Sequence, residues 1–165
     1  MKKLNLLFIV FAIFMISQSC KKEETGGQTP TPTETKSFVA YIDGVKFSPA
    51  IANVYIDTVR DGNYLIKTLI AEIGNKSISV QFTSNITGSF ALTGGASGYD
   101  VGRYDVGADS SWVCTSSVGG GNLVISKYDK TNNKISGTFN FKAKIFGSSN
   151  IKNITNGEFF DVEIR

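Results

Sequence analysis

The side chains that could do chemistry are few, and their spacing narrows what that chemistry could be. The chain has no histidine. This removes Ser–His and Cys–His nucleophilic pairs, His-ligated zinc and the usual general base near neutral pH. Beyond Cys20 the chain has one cysteine, Cys114. Its neighbours in Trp112-Val113-Cys114-Thr115 offer no cation to activate a thiolate, so it reads as a small hydrophobe buried on a strand. Paired carboxylates are the remaining route to catalysis. Asp57 and Asp61 flank a strand end, and Asp100, Asp105 and Asp109 gather in one glycine-rich stretch. A glycosidase needs carboxyls on opposite sides of a cleft, and aspartates between glycines are first of all turn formers. The same three, Asp100, Asp105 and Asp109, are the candidate oxygen ligands for calcium, but they lack Asp-x-Asp-x-Asp-Gly spacing. No cofactor and no catalytic residue is expected. Gly119-Gly120-Gly121 lacks the lysine of a phosphate-binding loop and reads as a flexible turn.

Aromatic side chains are the stronger lead. Tyr99, Tyr104 and Trp112 lie in or beside the glycine-rich stretch. Exposed aromatic faces hold sugar rings through apolar contact, with carboxylates and amides supplying polar contacts, so these three are the candidate ligand-binding residues. The competing expectation is that Trp112 anchors the core, as large aromatics usually do.

The elements that must position these residues are strands. Phe38, Ala40 and Ile42 alternate with Val39, Tyr41 and Asp43. Asp43-Gly44 then stands before Val45-Lys46-Phe47, a strong signal for a two-residue hairpin. Ile51 to Val59 is rich in β-branched residues and ends on Arg60-Asp61-Gly62-Asn63. Tyr64 to Ala71 is nearly continuous apolar, as in a central strand, and Gly74-Asn75 turns the chain into a half-exposed strand through Ile78, Val80 and Phe82. Ile86 to Leu92 predicts a short strand, and Thr93 to Gly107 reads as a loop. That loop repeats Tyr99-Asp100-Val101-Gly102 as Tyr104-Asp105-Val106-Gly107; a five-residue offset would put its tyrosines on opposite faces of a strand. Trp112 to Thr115 predicts a strand. Leu123 to Tyr128 and Lys134 to Phe146 form a hairpin about residues 129–133. Ile151 to Thr155, a turn at Asn156-Gly157 and a strand through Phe160, Val162 and Ile164 complete the pattern. No window carries a helical apolar stripe. The expectation is an all-β domain of about nine to eleven mostly antiparallel strands, preferably a sandwich and alternatively a lipocalin-like barrel.

The front of the chain is of another kind. Lys2 and Lys3 precede thirteen residues, Leu4 to Ile16, that are apolar apart from Asn5. That run is too short to span a membrane and has the length of a signal-peptide core. Ser17 and Ser19 stand at −3 and −1 from Cys20, small residues where a signal peptidase needs them, with the thiol that a diacylglyceryl transferase would modify. The division is a lipoprotein signal peptide over 1–19, a lipidated cysteine and flexible linker over 20–36, and one β-rich domain over 37–165. The linker, with Gly26-Gly27 and Thr29-Pro30-Thr31-Pro32, has no apolar surface to bury and is expected to stay extended. Without residues 1–19, fifteen basic side chains face fourteen acidic ones, a net charge of +1. No basic patch suggests nucleic acid.

Ser17-Gln18-Ser19-Cys20 resembles the loose lipobox of Bacteroidota lipoproteins. Lys22, Glu23 and Glu24 resemble the short signal that sends such proteins to the outer face of the outer membrane. The resemblance implies thioether-linked diacylglycerol and an amide-linked acyl chain such as palmitate on Cys20, two or three chains where one would anchor poorly. The domain resembles a family of uncharacterised Bacteroidota lipoprotein domains in Ala40-Tyr41-Ile42-Asp43-Gly44-Val45-Lys46-Phe47, Ile135-Ser136-Gly137-Thr138-Phe139-Asn140-Phe141 and Ile154-Thr155-Asn156-Gly157-Glu158-Phe159. That family implies no activity. The expected function is a lipid-anchored, non-enzymatic ligand-binding module of the outer membrane, the ligand a glycan or an envelope protein. A structural or protein-interaction lipoprotein is the alternative, and a carboxylate-dependent hydrolase ranks last.

Overall fold

A computed structural model describes residues 37–94 and 99–165. Eleven strands belong to one sheet: β1 (Phe38–Ile42), β2 (Val45–Phe47), β3 (Val54–Asp61), β4 (Tyr64–Ile73), β5 (Lys76–Phe82), β6 (Gly88–Leu92), β7 (Val101–Val106), β8 (Ser110–Val113), β9 (Gly121–Asp129), β10 (Lys134–Lys144) and β11 (Ile151–Glu163). The only helical pieces among the described residues are 3-10 turns at Ile51–Asn53 and Ser116–Val118. The sheet runs β2-β1-β11-β10-β8-β7-β5-β4-β3, with β9 paired to β10 and to β6. All strand pairings are antiparallel. The sheet therefore forks at β10, whose first part pairs with β9 and whose end pairs with β8 through Lys144 and Val113.

The all-β expectation and its strand number hold. The strands curl as one sheet into a half-barrel, and the β3 end returns to the end of β11. A parallel bridge joins Ile56 to Ile164, the Arg165 amide donates to the Ile56 carbonyl at 2.8 Å, and the Arg165 guanidinium lies 4.4 Å from the Tyr55 ring.

Period-two burial explains the curl. In β10, Ile135, Phe139, Phe141 and Ala143 are buried while Thr138, Asn140 and Lys142 are exposed. Inside, Phe139 lies between Phe38, Phe141 and Phe159 with ring centroids 5.6, 6.1 and 6.4 Å away. Glycines on facing strands make room for these rings. A Cβ on Gly157 would stand 2.5 Å from Phe139 Cζ, one on Gly102 2.5 Å from Phe141 Cδ1, and one on Gly137 2.7 Å from Phe159 Cζ.

Two local expectations are corrected. Residues 101–106, read as loop, form β7, with Gly102 seated under Phe141. Asn156-Gly157, read as a turn, lies inside the thirteen-residue β11. Asn156 has φ +48 there, but one extra residue of β11 is absorbed opposite Phe139 and Phe141, so it makes a bulge and not a hairpin. Asp161, at φ +47, makes a second bulge, capped by its own amide donating to Ser136 Oγ at 2.9 Å. Pairing with β1 on one side and β10 on the other keeps β11 extended through the bulge at Asn156. Bulges sharpen right-handed twist, which helps this strand curl the sheet.

One charged side chain among the described residues is drawn inside. The alternation of β4 puts Lys67 on the core face with Leu69 and Ala71, and it is 1% exposed. Its Nζ donates to the Ser84 carbonyl at 3.2 Å and to Asn85 Oδ1, and lies 5.9 Å from the rings of Phe82 and Tyr128. No carboxylate pairs with it among the described residues. Burial therefore pushes its pKa below the ordinary 10.5. A base with a depressed folded pKa binds fewer protons folded than unfolded. Stability then rises with pH between the depressed value and 10.5. Lys67→Met should match or exceed wild-type stability at neutral pH and lose that rise, read as urea midpoints from neutral pH up to 10.5; parallel midpoint curves for the two proteins would contradict this.

Candidate functional site

Of the three aromatic candidates, two pack together in the core, and only Tyr99 keeps a face to solvent. Tyr104 and Trp112 are register partners on β7 and β8, stack at 5.4 Å, and are 5% and 8% exposed. Their rings belong to the core cluster, the placement that size and apolarity favour for Trp112. Lys152 Nζ lies 5.8 Å from the Trp112 ring and is tied at 2.8 Å to Asp43, whose carboxylate also accepts from the Asn153 amide at 2.9 Å. The Asn153 amide first, and Lys152 with it, hold Asp43 below the usual carboxylate range. Tyr99 precedes β7 and stays half-buried. It packs 5.4 Å from Tyr64, which is 52% exposed, and its hydroxyl donates to Asp61. Tyr99 lies before β7 and outside any strand, so the five-residue offset does not set two faces of one strand.

The acidic candidates are not gathered. Asp100 lies just before β7, where its carbonyl accepts the Thr93 and Gly94 amides at 3.0 and 2.9 Å. Asp105 sits within β7, and Asp109 in the turn to β8. The described residues hold no group of three acids, cysteines or histidines placed to ligate a metal. Cys114 is fully buried, its Sγ donates to the Leu92 carbonyl at 3.0 Å, and burial pushes its thiol up to about 11. That holds it as an unreactive thiol at neutral pH. Cys20, Lys22, Glu23 and Glu24 lie outside the described residues, as does the whole of 1–36.

The clearest concavity lies elsewhere, on the outer face of β10 and β11. It is a groove of about 680 Å³. Thr138, Asn140 and Lys142 line it from β10; Asn153, Thr155 and Glu158 line it from β11, joined by the bulge residue Asn156. Register sets Thr138 opposite Glu158 and Lys142 opposite Asn153. One wall is Gly119-Gly120-Gly121, which continues the β9 pairing because the Lys142 amide donates to the Gly120 carbonyl at 3.1 Å. A Cβ on Gly121 would stand 2.4 Å from the Asn140 carbonyl, so only glycine brings the wall this close. Half-buried Tyr41 is the register partner of Thr155 on β1 and adds an aromatic ring beside the groove.

The chemistry of the groove is that of hydroxyl recognition. Asparagine amides donate and accept at once, as sugar hydroxyls do, and Thr138 and Thr155 add hydroxyls of their own. Lys142 and Glu158 add one charge of each sign, and neither forms a salt bridge among the described residues. Glu158 is the one carboxylate among the groove's described lining residues. Sequence periodicity exposes the outward row Thr138, Asn140 and Lys142. It does not show that β11 lies beside them, because the bulge at Asn156 reads as a turn.

A family model described as a domain of unknown function, DUF6252, matches residues 34–163. The chain belongs to the DUF6252 family. The match covers every strand, β1 to β11, and all of the groove. No curated protein and no solved structure matches the chain. The DUF6252 description carries no activity, so function rests on the groove and its chemistry.

Proposed function

We propose that this is a lipid-anchored cell-envelope protein whose DUF6252 domain binds a saccharide, without turning it over, in the groove on β10 and β11. The observation that carries the reading is the density of paired donors and acceptors there. Asn140, Asn153, Asn156, Thr138 and Thr155 converge on one concave surface with Tyr41 at its side. Pockets of this size commonly fix a ligand through a few convergent polar groups. The exposed Tyr64–Tyr99 pair, with its Asp61 contact, supplies a second aromatic surface where a longer glycan could rest.

Titrating the isolated domain (37–165) with a panel of oligosaccharides, followed by amide chemical shifts, tests the site. Shifts should concentrate on residues 119–121, 138–142 and 153–158. Asn140→Ala with Asn153→Ala should weaken binding by about tenfold to a hundredfold, since each deletes a hydrogen-bonding partner worth about 1 kcal/mol. Shifts confined to Tyr64 and Tyr99 would move the site to that pair.

Anchoring and location rest on the residues before the domain. Cys20 would carry the lipid, residues 20–36 would be the tether, and Lys22, Glu23 and Glu24 would direct the protein to the outer membrane. Cys20→Ala should shift the protein from the membrane to the soluble fraction and abolish palmitate labelling. A variant that still pellets with membranes would contradict the anchor.

A further inference from the structure

The polar groove does not end at Lys142. Gly119, in its wall, follows Val118, and Lys142 is followed two residues on by Lys144. Val118 and Lys144 line a second hollow of about 460 Å³ with Val113, Thr115, Ser117 and Phe146. The two hollows are neighbours on one outward surface. Lys142 and Lys144 point to the same side of β10, about 7 Å apart. Val113 is the register partner of Lys144 and shares its outward direction.

The character of the surface changes along this line. Amides and hydroxyls come first, then Lys142 and Lys144, then Val113, Val118 and Phe146. Neither lysine has a salt-bridge partner among the described residues. Phe146 is fully exposed, a costly position for a large apolar ring in water, and lines the hollow with half-buried Val113 and Val118; apolar groups rimmed by polar ones mark contact sites. The order polar, cationic, apolar is the order of groups in a sugar joined through a phosphate to a hydrocarbon chain. A bare fatty acid would leave the amide-lined groove unused.

We infer that the groove and the adjoining hollow together take an anionic glycolipid. Its sugar lies over Asn140 and Asn153, its phosphodiester sits between Lys142 and Lys144, and its hydrocarbon chain lies against Val113, Val118 and Phe146. This rests on the saccharide reading above and names the ligand class for that site.

Calorimetry on the full chain with glucosyl octyl phosphate, below its micelle concentration, tests the inference. Glucosyl phosphate, octyl phosphate and octyl glucoside serve as partial ligands. The full probe should bind about a hundredfold more tightly than glucosyl phosphate or octyl phosphate, because joining the halves makes the second contact intramolecular. Lys142→Ala with Lys144→Ala should bring the full probe down to the affinity of octyl glucoside. Val118→Ser with Phe146→Ser should bring it down to that of glucosyl phosphate. All four residues are at least partly exposed, and an unchanged melting temperature in each variant shows that the fold is kept. Equal affinity for the full probe and glucosyl phosphate would overturn the inference and leave the saccharide reading standing. Equal affinity for the full probe and octyl phosphate would overturn both, since the sugar would then contribute nothing.

Discussion

Truncating Phe139 to alanine should lower the unfolding free energy by about 4 kcal/mol, as buried aromatic-to-alanine changes do in well-packed cores. Phe139 is 2% exposed and is the ring against which Phe38, Phe141 and Phe159 all pack. These partners come from β1, β10 itself and β11, so the site cannot collapse by moving one side chain. The cavity left behind adds to the lost transfer energy, which places the expected cost toward the upper part of the range. A shift of the urea midpoint with an unchanged slope would report it as stability. A loss of less than about 1 kcal/mol would mean that the sheet closes over the gap, and that the ring cluster is not what holds β1, β10 and β11 together.

Adding one methyl group opposite this ring should cost nearly as much. Gly157→Ala in the wild-type protein is expected to destabilise by about 3 kcal/mol, because the new Cβ would lie 2.5, 2.6 and 2.7 Å from three atoms of the Phe139 ring. Backbone conformation is not the obstacle, since Gly157 is not among the positive-φ residues. The three nearest atoms all belong to Phe139. In a Phe139→Ala background the same substitution should therefore cost little, or recover part of the loss by filling the gap. The double-mutant cycle should show a coupling of about 2–3 kcal/mol. Independent, additive costs would instead place the Gly157 requirement in the backbone of the bulge beside it.

These two residues also show what a linear reading catches and what it misses. Alternation along Lys134 to Phe146 assigns Phe139 to the core face and Asn140 to the outside, and both assignments hold. Asp43-Gly44 predicts a hairpin, and the turn forms with φ +49 and +82. Asn156-Gly157 has the same turn chemistry, yet β1 and β10 pair on both sides of it and convert it to a bulge. Gly102 reads as a loop breaker because nothing nearby in sequence announces Phe141, the ring that needs the missing side chain. Lys67 hides inside an apolar run. Period two puts it with Leu69 and Ala71, but its acceptors at Ser84 and Asn85 come from beyond the next strand.

The amino-acid sequence alone determines the all-β class, the approximate strand number, most hairpins and the outward polar row of β10. These follow from side-chain alternation and turn stereochemistry, which are local. The proposal that Cys20 is lipidated rests on residue type and order alone, since residues 1–36 lie outside those described. Tertiary structure decides which surfaces meet. It places Tyr104 and Trp112 against each other inside, leaves Tyr99 outside with Tyr64, spreads Asp100, Asp105 and Asp109 along β7 and its turns, and sets Asn140 beside Asn153. The groove depends on β11 lying beside β10 across two bulges. Phe139 seats on Gly157 and Phe159 on Gly137 across that pairing, contacts between two strands that periodicity along one strand does not contain.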